Sequence, residues 1–281
     1  MSTTQSKVFL ITGVSSGFGR ALAQAALADG HRVVGTLRDQ TALGEFELLG
    51  PGRAIGKLLD VTHTDAIADA VADIEGKVGP IDVLVNNAGY GYEGILEETT
   101  LDEWRKQFDV NVFGAVAMMQ AVLPYMRRRK RGHILNITSM GGYVTFPGIS
   151  AYNGTKFALE GISDGLAKEV KELGIKVTAV APGAFRTDWA GRSMVRAQRS
   201  ISDYDATFEP VRARRQAISG KQPGDPAKAA RAMLEIIAAS DPPVHFLLGN
   251  DAVKLVNEKL DALRAELRAW ESLSTSTDFS T

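Results

Sequence analysis

Residues 8–19 read Val-Phe-Leu-Ile-Thr-Gly-Val-Ser-Ser-Gly-Phe-Gly, an apolar run that passes directly into a glycine-rich turn. The run predicts a buried strand over residues 8–12, and the turn leads into a helix expected from residue 19. Glycine allows the backbone to approach a neighbouring group closely, and the first turn of a helix has free N–H groups that suit a phosphate. Glycine also occurs at ordinary strand-to-helix bends, so the turn alone does not establish a phosphate site.

Apolar β-branched runs alternate with helical patterns along the chain. Strands that are apolar on both faces and separated by helices imply a parallel sheet covered on both sides. No linker rich in Pro, Gly or Ser divides the chain, so we expect one doubly wound α/β domain over residues 1–281 with its core at about 7–250. The expected strands are residues 8–12, 32–37, 54–59, 83–86, 132–138, 176–181 and 244–248. The clearest helical patterns are residues 19–29, 65–77, 101–129, 152–173 and 226–239.

Composition restricts the classes of function. The chain has 281 residues, a formal net charge of -1, 4 histidines and no cysteine. A near-neutral chain has no general attraction to nucleic acid, and without cysteine it has neither a thiolate metal site nor a cysteine nucleophile. The histidines, at positions 31, 63, 133 and 245, are scattered, so we expect surface or strand-edge positions and no metal site. No run approaches a membrane-spanning length and the polar start lacks a signal-peptide core, which predicts a cytoplasmic protein.

Tyr152 and Lys156 are spaced by four residues where a helical pattern begins. That spacing places both side chains on one face of a helix. Because an ammonium group favours a neighbouring phenolate, we expect Lys156 to lower the pKa of Tyr152 from about 10 towards neutral pH. Tyr152 is then a candidate proton donor and acceptor for alcohol or carbonyl chemistry. The alternative from the pair alone is an aromatic side chain packed beside a solvated amine.

Further motifs follow the glycine-rich turn in a definite order. They are Asn86-Asn87-Ala88-Gly89 after the fourth strand, Asn111 within a long helix, Ser139 after the fifth strand, and Pro182-Gly183 after the sixth. With the turn and the Tyr–Lys pair, they make the sequence resemble the short-chain dehydrogenase/reductase family over roughly residues 7–250. Two stretches, Leu37-Arg38-Asp39 and residues 177–187, resemble its 17β-hydroxysteroid and retinol dehydrogenase-like branch.

The resemblance implies a Rossmann-type, mostly parallel seven-stranded sheet with helices on both faces, a nicotinamide cofactor, and hydride transfer between a carbonyl and an alcohol. It implies that Ser139 binds the substrate oxygen, that Tyr152 is the acid/base, and that Lys156 also holds the nicotinamide ribose. Asn111 is implied as a water-binding link in a proton relay to the lysine. From the residues alone, Asn111 reads as an ordinary partly exposed side chain. The expected cofactor contacts are Gly13, Ser15, Ser16, Gly17, Phe18, Gly19, Arg38, Asp60, Val61, Asn87, Ala88, Gly89, Tyr152, Lys156, Pro182, Gly183 and Thr187.

The end of the second strand bears on the choice between NAD and NADP. An acidic residue there binds the free ribose hydroxyls of NAD, whereas arginine binds the 2′-phosphate of NADP. Apolar Leu37 falls where NAD enzymes usually carry the acid, and Arg38 follows it. We therefore expect NADP(H). The alternative is that Arg38 is solvated and Asp39 turns to the ribose, which would favour NAD(H).

The substrate is expected to be a fairly apolar ketone or secondary alcohol, because segments near the crevice are rich in aromatic residues. Those residues are Tyr90, Tyr92, Tyr143, Phe146, Phe185 and Trp189. Residues 184–222 lack a clean period, and we expect them to form a lid. Their arginines either are solvated or select an anionic substrate; they are Arg186, Arg192, Arg196, Arg199, Arg212, Arg214 and Arg215.

The C-terminal region carries an apolar stripe with spacings of three and four residues. The stripe consists of Val253, Val256, Leu260, Leu263, Leu267 and Trp270. It predicts a helix over residues 251–270 that docks on its own domain or contacts another subunit, followed by a frayed polar tail at 272–281. The family implies a dimer or tetramer paired through the helices at 101–129 and 152–173. Non-enzymatic cofactor binding on the same fold is the competing function, and it predicts loss of Ser139, Tyr152 or Lys156.

Overall fold

A seven-stranded sheet forms the centre of the computed structural model, which describes residues 6–279. Its strand order is β3-β2-β1-β4-β6-β7-β9, and every neighbouring pair is parallel. The predicted fold class is confirmed. The order reverses between β1 and β4, which opens a crevice at the carboxyl ends of the strands. The strands are β1 Val8–Thr12, β2 Arg32–Leu37, β3 Ala54–Leu58, β4 Ile81–Asn86, β5 Gly91–Glu93, β6 Gly132–Ile137, β7 Ile175–Pro182, β8 Met194–Arg196 and β9 His245–Leu248.

Helices cover both faces of the sheet because side chains alternate along each strand. In β1, Phe9 and Ile11 enter the apolar core beneath α1, α2 and α8, whereas Val8 and Leu10 enter the core beneath α3, α5 and α6. The helices are α1 Gly17–Ala28, α2 Gln40–Glu47, α3 Thr64–Lys77, α4 Leu101–Phe108, α5 Gly114–Arg129, α6 Ser150–Val170, α7 Asp205–Ala217, α8 Pro226–Ala238 and α9 Asn250–Thr275. Helix α9 extends into the stretch that was expected to be a frayed tail, and residues 280–281 of that tail lie outside the described residues.

The expected long helix at 101–129 is interrupted. A π-helical segment, Asp109–Phe113, separates α4 from α5 and contains the buried Asn111. A π turn inserts one extra residue into the helical ladder and is often found at functional sites. The apolar period continues through this segment, so periodicity alone could not reveal it.

Taken together, Leu101–Arg129 form a helical stretch that, within residues 6–279, is long and apolar enough to cross a membrane by length and composition. The expectation that no run approaches this length was therefore wrong. The apolar face of α5 is buried, including Met118, Met119, Val122 and Met126, and it packs in the core beneath the sheet. A core helix of a globular domain satisfies the same length and composition test.

Two buried asparagines join β4, β6 and α6. The amide of Asn86 donates to Asn136 Oδ1 at 2.8 Å, and Asn136 Nδ2 donates to Ser163 Oγ at 2.8 Å. Because a buried amide without partners is costly, these bonds specify how α6 sits on the sheet. Helix α6 carries the Tyr–Lys pair, so the ladder helps to position the site.

The segment at 184–222, expected to be an irregular lid, contains regular structure. Strand β8 pairs in parallel with β5, and α7 packs the fully buried Phe208 beneath it. Helix α7 was not predicted because Phe208 is its one buried residue and Pro210 lies inside it, which leaves no extended apolar period.

Four arginines of this segment bind carboxylates of the body and are therefore not simply solvated: Arg196, Arg199, Arg212 and Arg215. The alternative that arginines of the segment select an anionic substrate stays a prediction. Glu93, whose side chain is 1% exposed, meets Arg215 at 2.5 Å, Arg196 at 3.2 Å and Arg212 at 3.3 Å. Arg199 forms a second cluster with Glu98, Asp205 and Glu209. Both clusters hold the segment against the loop that follows β4.

We predict that Glu93→Gln loosens this segment, because three arginines would lose their shared buried carboxylate. Breaking a buried ion pair costs about 3–5 kcal/mol. Amide hydrogen exchange over residues 194–217 should accelerate, while exchange in β1 and β4 stays as in the wild-type chain. The exposed Asp203→Asn, in the same segment, is the matched control and should leave exchange unchanged. Equal protection in both variants would contradict a role for Glu93 in closing the segment.

Candidate active site

The glycine-rich turn is tied to the segment after β4 by hydrogen bonds. Thr12 Oγ1 accepts from the backbone N–H of Asn87 at 3.0 Å and of Ala88 at 2.9 Å. Asn87 Nδ2 donates to the carbonyls of Thr12 at 2.9 Å and Gly13 at 2.8 Å. These bonds close one end of the crevice and explain the asparagine at position 87.

The turn has the shape of a phosphate cradle. A Cβ on Gly19 would lie 2.3 Å from Gly13 O and 2.5 Å from Asn87 Nδ2, so only glycine fits. Gly13 and Gly17 have φ of 71° and 59°, which glycine adopts without strain. Ser16 makes no side-chain cap to α1, and the first turn carries no acidic residue. The N-terminal N–H groups of α1 therefore suit the pyrophosphate of a dinucleotide.

A cavity of about 1300 Å³ runs from this turn across the carboxyl ends of the strands. Two expected site residues are not on its wall. Gly19 lies beneath the turn against Gly13, and Asn111 is buried behind the wall. The expected residues that do line the cavity are Gly13, Ser15, Ser16, Gly17, Phe18, Arg38, Asp60, Val61, Asn87, Ala88, Gly89, Ser139, Tyr152, Lys156, Pro182, Gly183 and Thr187.

Ser139, Tyr152 and Lys156 meet on one wall of the cavity. Ser139 follows β6 and accepts a hydrogen bond from Gly141 N at 3.0 Å, so it also caps the short turn that follows. Tyr152 and Lys156 lie one turn apart on α6, with Lys156 Nζ 5.7 Å from the centre of the tyrosine ring. The Trp189 ring, centred 5.0 Å from that of Tyr152, covers it from the segment after β7.

The expected lowering of the Tyr152 pKa does not occur in this structure. Burial raises the pKa of Tyr152 to about 12, and a hydrogen bond from the Ser139 hydroxyl opposes that rise only in part. Burial likewise lowers the pKa of Lys156 to about 8, against the attraction of Glu160. Lys156 Nζ donates to Ile137 O at 2.8 Å, so its charge is directed to a carbonyl and not to the phenol. The spacing of Tyr152 and Lys156 predicts that the two groups lie together, but it carries no information about the cost of burying both.

Asn111 links the loop after β4 to α6. Its Oδ1 accepts from Tyr90 N, and its Nδ2 donates to Tyr90 O and Thr155 Oγ1, each at 3.1 Å. Thr155 in turn donates to the carbonyl of Tyr152 at 2.7 Å. The side chain is 1% exposed, so the interpretation of Asn111 as a partly exposed residue was wrong.

Glu160 is a site residue that the sequence analysis missed. Its side chain is 8% exposed, accepts hydrogen bonds from Thr138 Oγ1 and from Tyr143 Oη at 2.7 Å, and lies 2.9 Å from His245 Nδ1. It follows Lys156 by one helical turn, and Thr138 directly follows the Ile137 that binds Lys156. The spacing of lysine and glutamate by four residues was the available signal, but it is common on solvated helices.

The end of β2 places Arg38 at the rim of the cavity. Its side chain is 77% exposed, with Nη1 4.0 Å from Asp60 Oδ2. Asp39 instead accepts a hydrogen bond from Ala42 N at 2.9 Å and so caps α2. Burial would raise the pKa of Asp60, but hydrogen bonds from Thr62 and the charge of Arg38 outweigh it and lower that pKa.

The opposite end of the cavity is lined by many apolar side chains and by Arg192, Arg214 and Arg215. Tyr90, Phe146, Phe185 and Trp189 line it as expected. Tyr92 and Tyr143 do not. Tyr92 is buried and does not reach the cavity. The Tyr143 hydroxyl hydrogen-bonds to Glu160 and lies within hydrogen-bond distance of His245. Further apolar lining comes from Ile149, Ala190, Val195, Val211, Ile218 and Leu255.

One of the four histidines does not lie where the sequence predicts. His133 is buried on the central strand β6, where Nε2 lies 3.0 Å from Thr178 Oγ1 and burial lowers its pKa to about 3. The prediction of a surface or strand-edge position was wrong for this residue. Over residues 6–279, no three His, Asp or Glu side chains are grouped as metal ligands would be.

Comparisons with known proteins show the family of the chain. The short chain dehydrogenase family profile matches residues 7–197. Oxidoreductase BOA17 of Botryotinia fuckeliana is 38% identical over 269 residues, covering 95% of this chain and 98% of the relative. The 3-ketodihydrosphingosine reductase of Bacteroides thetaiotaomicron is 39% identical over 251 residues, covering 87% and 88%.

A solved structure extends the agreement to the whole fold. The crystal structure of a short-chain dehydrogenase from Streptomyces avermitilis superimposes with a TM-score of 0.92 at 45% identity, covering 99% of this chain and 100% of that one. The glycine-rich turn, the parallel sheet, the family match and this similarity lead to one assignment. The chain belongs to the short-chain dehydrogenase/reductase family and is an NAD(P)-dependent oxidoreductase.

Proposed function

We propose that the protein transfers hydride between NADP(H) and a fairly apolar ketone or secondary alcohol, with Tyr152 as the general acid and base. One observation carries the proposal: Ser139, Tyr152 and Lys156 line the same cavity as the phosphate cradle. The many apolar side chains that line the cavity beyond them support an apolar substrate. The relative whose name denotes a ketone reductase is consistent with this class.

The bound cofactor would supply the hydride and, when oxidised, a positive charge near the phenol. Ser139 and Tyr152 then orient the substrate oxygen, and Tyr152 donates its proton as that oxygen gains charge during reduction. A Tyr152 pKa of about 12 suits a phenol that holds its proton until the alkoxide develops. In oxidation the phenolate is needed, and the hydrogen bond from the Ser139 hydroxyl and the positive charge that the oxidised cofactor would supply favour it. Asn111 acts by fixing the backbone around Tyr152 through Thr155.

The preference for NADP(H) rests on the end of β2. The side chain of Arg38 is largely exposed at the rim of the cavity, where its guanidinium can form two parallel hydrogen bonds with a phosphate. Asp39 caps α2 and is therefore engaged, which argues against the NAD(H) alternative. Asp60, one of the expected cofactor contacts, is the candidate contact for the adenine, as the family resemblance implies.

Two alternatives are ranked lower. An NAD(H)-dependent enzyme would need a carboxylate aimed at the ribose, and Asp39 is bonded elsewhere. A cofactor-binding regulator without catalysis does not require Ser139, Tyr152 and Lys156 to line one cavity. We place the enzyme in the cytoplasm as a homo-oligomer, with no nucleic acid partner, in accord with its near-neutral charge.

We expect Tyr152→Phe to lower kcat for ketone reduction about 10²–10⁴-fold, the usual contribution of general acid catalysis. The ring stays and only the hydroxyl is lost, so the Kd for NADPH, measured by fluorescence titration, should change little. Tyr125→Phe, on α5 away from the cavity, is the control and should retain full turnover. Comparable turnover in Tyr152→Phe and wild type would refute the acid–base role.

We expect Arg38→Ala to raise the KM for NADPH about 10–100-fold and to leave the KM for NADH nearly unchanged. The change removes one charge-assisted pair with the 2′-phosphate. Asp39→Ala tests the alternative, since it should cost the cap of α2 without changing the KM for either cofactor. A wild-type preference for NADH, or an NADH-specific loss in Asp39→Ala, would contradict the NADP(H) proposal.

We expect Glu160→Gln to move the alkaline limb of the kcat/KM profile for ketone reduction to lower pH. Burial already lowers the pKa of Lys156 to about 8, and the Glu160 carboxylate opposes that lowering. Without the carboxylate, the Lys156 ammonium, which we propose holds the nicotinamide ribose, is lost about one pH unit earlier, so cofactor binding and activity fall at a lower pH. Asp164→Asn, one turn further along α6, removes an exposed carboxylate paired with Lys168 and should leave the limb in place. Coincident profiles for wild type and Glu160→Gln would show that the carboxylate only supports the fold.

A further inference from the structure

Helix α9 leaves the body of the protein after its first two turns. Ala252 and Val256 are buried, whereas all residues from 257 to 279 are exposed. A helical end without packing is marginally stable in water, because most helices in proteins are held by an apolar face. Here the exposed apolar side chains are large, between 40% and 63% exposed: Leu260, Leu263, Leu267, Trp270 and Leu273.

The apolar residues of α9 follow the heptad repeat of a coiled coil. Positions a are Val253, Leu260 and Leu267, and positions d are Val256, Leu263 and Trp270. Alternating spacings of three and four form a narrow seam that fits the seam of another helix. We call the exposed part of this seam, Leu260, Leu263, Leu267 and Trp270, the C-terminal seam.

The charges of the helix argue for a protein helix as the partner. Between residues 253 and 273, four basic side chains balance four acidic ones: Lys254, Lys259, Arg264 and Arg268 against Glu258, Asp261, Glu266 and Glu271. A helix that lies on an anionic membrane is typically basic on its polar face. A balanced face with a heptad seam is typical of pairing between helices.

The residues that flank the seam select the orientation of a second copy. Positions g are Lys259 and Glu266, and positions e are Arg264 and Glu271. In a parallel pair of helices, each g residue meets the e residue five positions later on the other helix. Lys259 would then face Arg264 of the second copy, and Glu266 would face its Glu271. Both contacts join like charges and are unfavourable. A parallel arrangement is therefore disfavoured at both flanking pairs.

In an antiparallel pair, e residues meet e residues and g residues meet g residues, and only one register suits the structure. In that register the two-fold axis passes between residues 268 and 269. Leu267 then packs against Trp270 of the second copy, and Arg264 faces its Glu271. Symmetry makes each of these contacts occur twice. The register one heptad towards the N-terminus pairs Lys259 with Glu266 but needs Val256, which the protein's own body covers. The register between these two places Arg264 next to Arg264 of the second copy and Glu266 next to its Glu266, so both pairs repel.

We propose that the C-terminal seam is a self-association surface, on which a second copy of this chain docks as an antiparallel coiled coil held by Leu267, Trp270 and reciprocal Arg264–Glu271 pairs. This contact is separate from α4, α5 and α6. It does not depend on the proposed reaction, since no residue of the seam lines the cavity.

Sedimentation velocity of the full chain tests the proposal. Leu267→Lys should halve the assembly mass at micromolar concentration while ketone reductase activity is kept, because the substitution lies outside the folded body. Arg264→Glu and Glu271→Arg should each weaken association about tenfold, since each reversal makes two pairs repulsive. The double variant should restore the wild-type association. Arg268→Glu, at an outward-facing position, is the matched control and should associate like the wild type.

Three results would overturn the proposal. One is an assembly mass that Leu267→Lys does not change. Another is a charge-reversal double variant that associates no better than either single variant, which refutes the antiparallel register. The third is binding of the wild-type chain to phosphatidylcholine–phosphatidylserine vesicles that Leu267→Lys abolishes without changing the mass. That result would assign the seam to a lipid surface.

Discussion

The hydrogen bonds between the ends of β1 and β4 are the constraint on which the rest of the site depends. Thr12 and Asn87 together satisfy four backbone groups where two parallel strands diverge and no longer bond to each other. Unpaired, those groups would be costly in a partly buried crevice. With them paired, the glycine-rich turn can stay open, and the N-terminus of α1 points into the cavity.

Helix α6, which carries Tyr152 and Lys156, is held to this frame by polar side chains. Asn136 binds Ser163, Asn111 binds Thr155, and Ile137 and Thr138 bind Lys156 and Glu160 in turn. A mainly polar attachment specifies the rotation and height of a helix more sharply than apolar packing, because an unsatisfied buried group is penalised. Tyr152 therefore stands at a defined place beside Ser139. The cost is the burial of a lysine and a phenol, which shifts the pKa of each towards its neutral form.

Motif order and periodicity predicted the sheet and its seven strands, and most of the predicted site residues line the cavity. These predictions failed where the local structure depends on contacts with residues distant in the sequence. The π turn at Asn111 depends on a bond to Tyr90, and α7 depends on ion pairs with Glu93 and on the packing of Phe208. Glu160 looked like one half of a common helical pair, and its role depends on Tyr143 and His245, which lie 17 residues before it and 85 after it.

The sequence by itself determined the fold class, and it indicated the glycine-rich turn, Ser139, Tyr152 and Lys156 as candidate site residues, because each motif consists of residues that are near neighbours in the chain. Only the tertiary structure decided the protonation preferences of Tyr152 and Lys156, the engagement of Asp39 as a helix cap, and the exposure of the C-terminal seam. These properties depend on burial and on partners distant in sequence. Burial is a property of the packed molecule, and no spacing of residues along a chain specifies it.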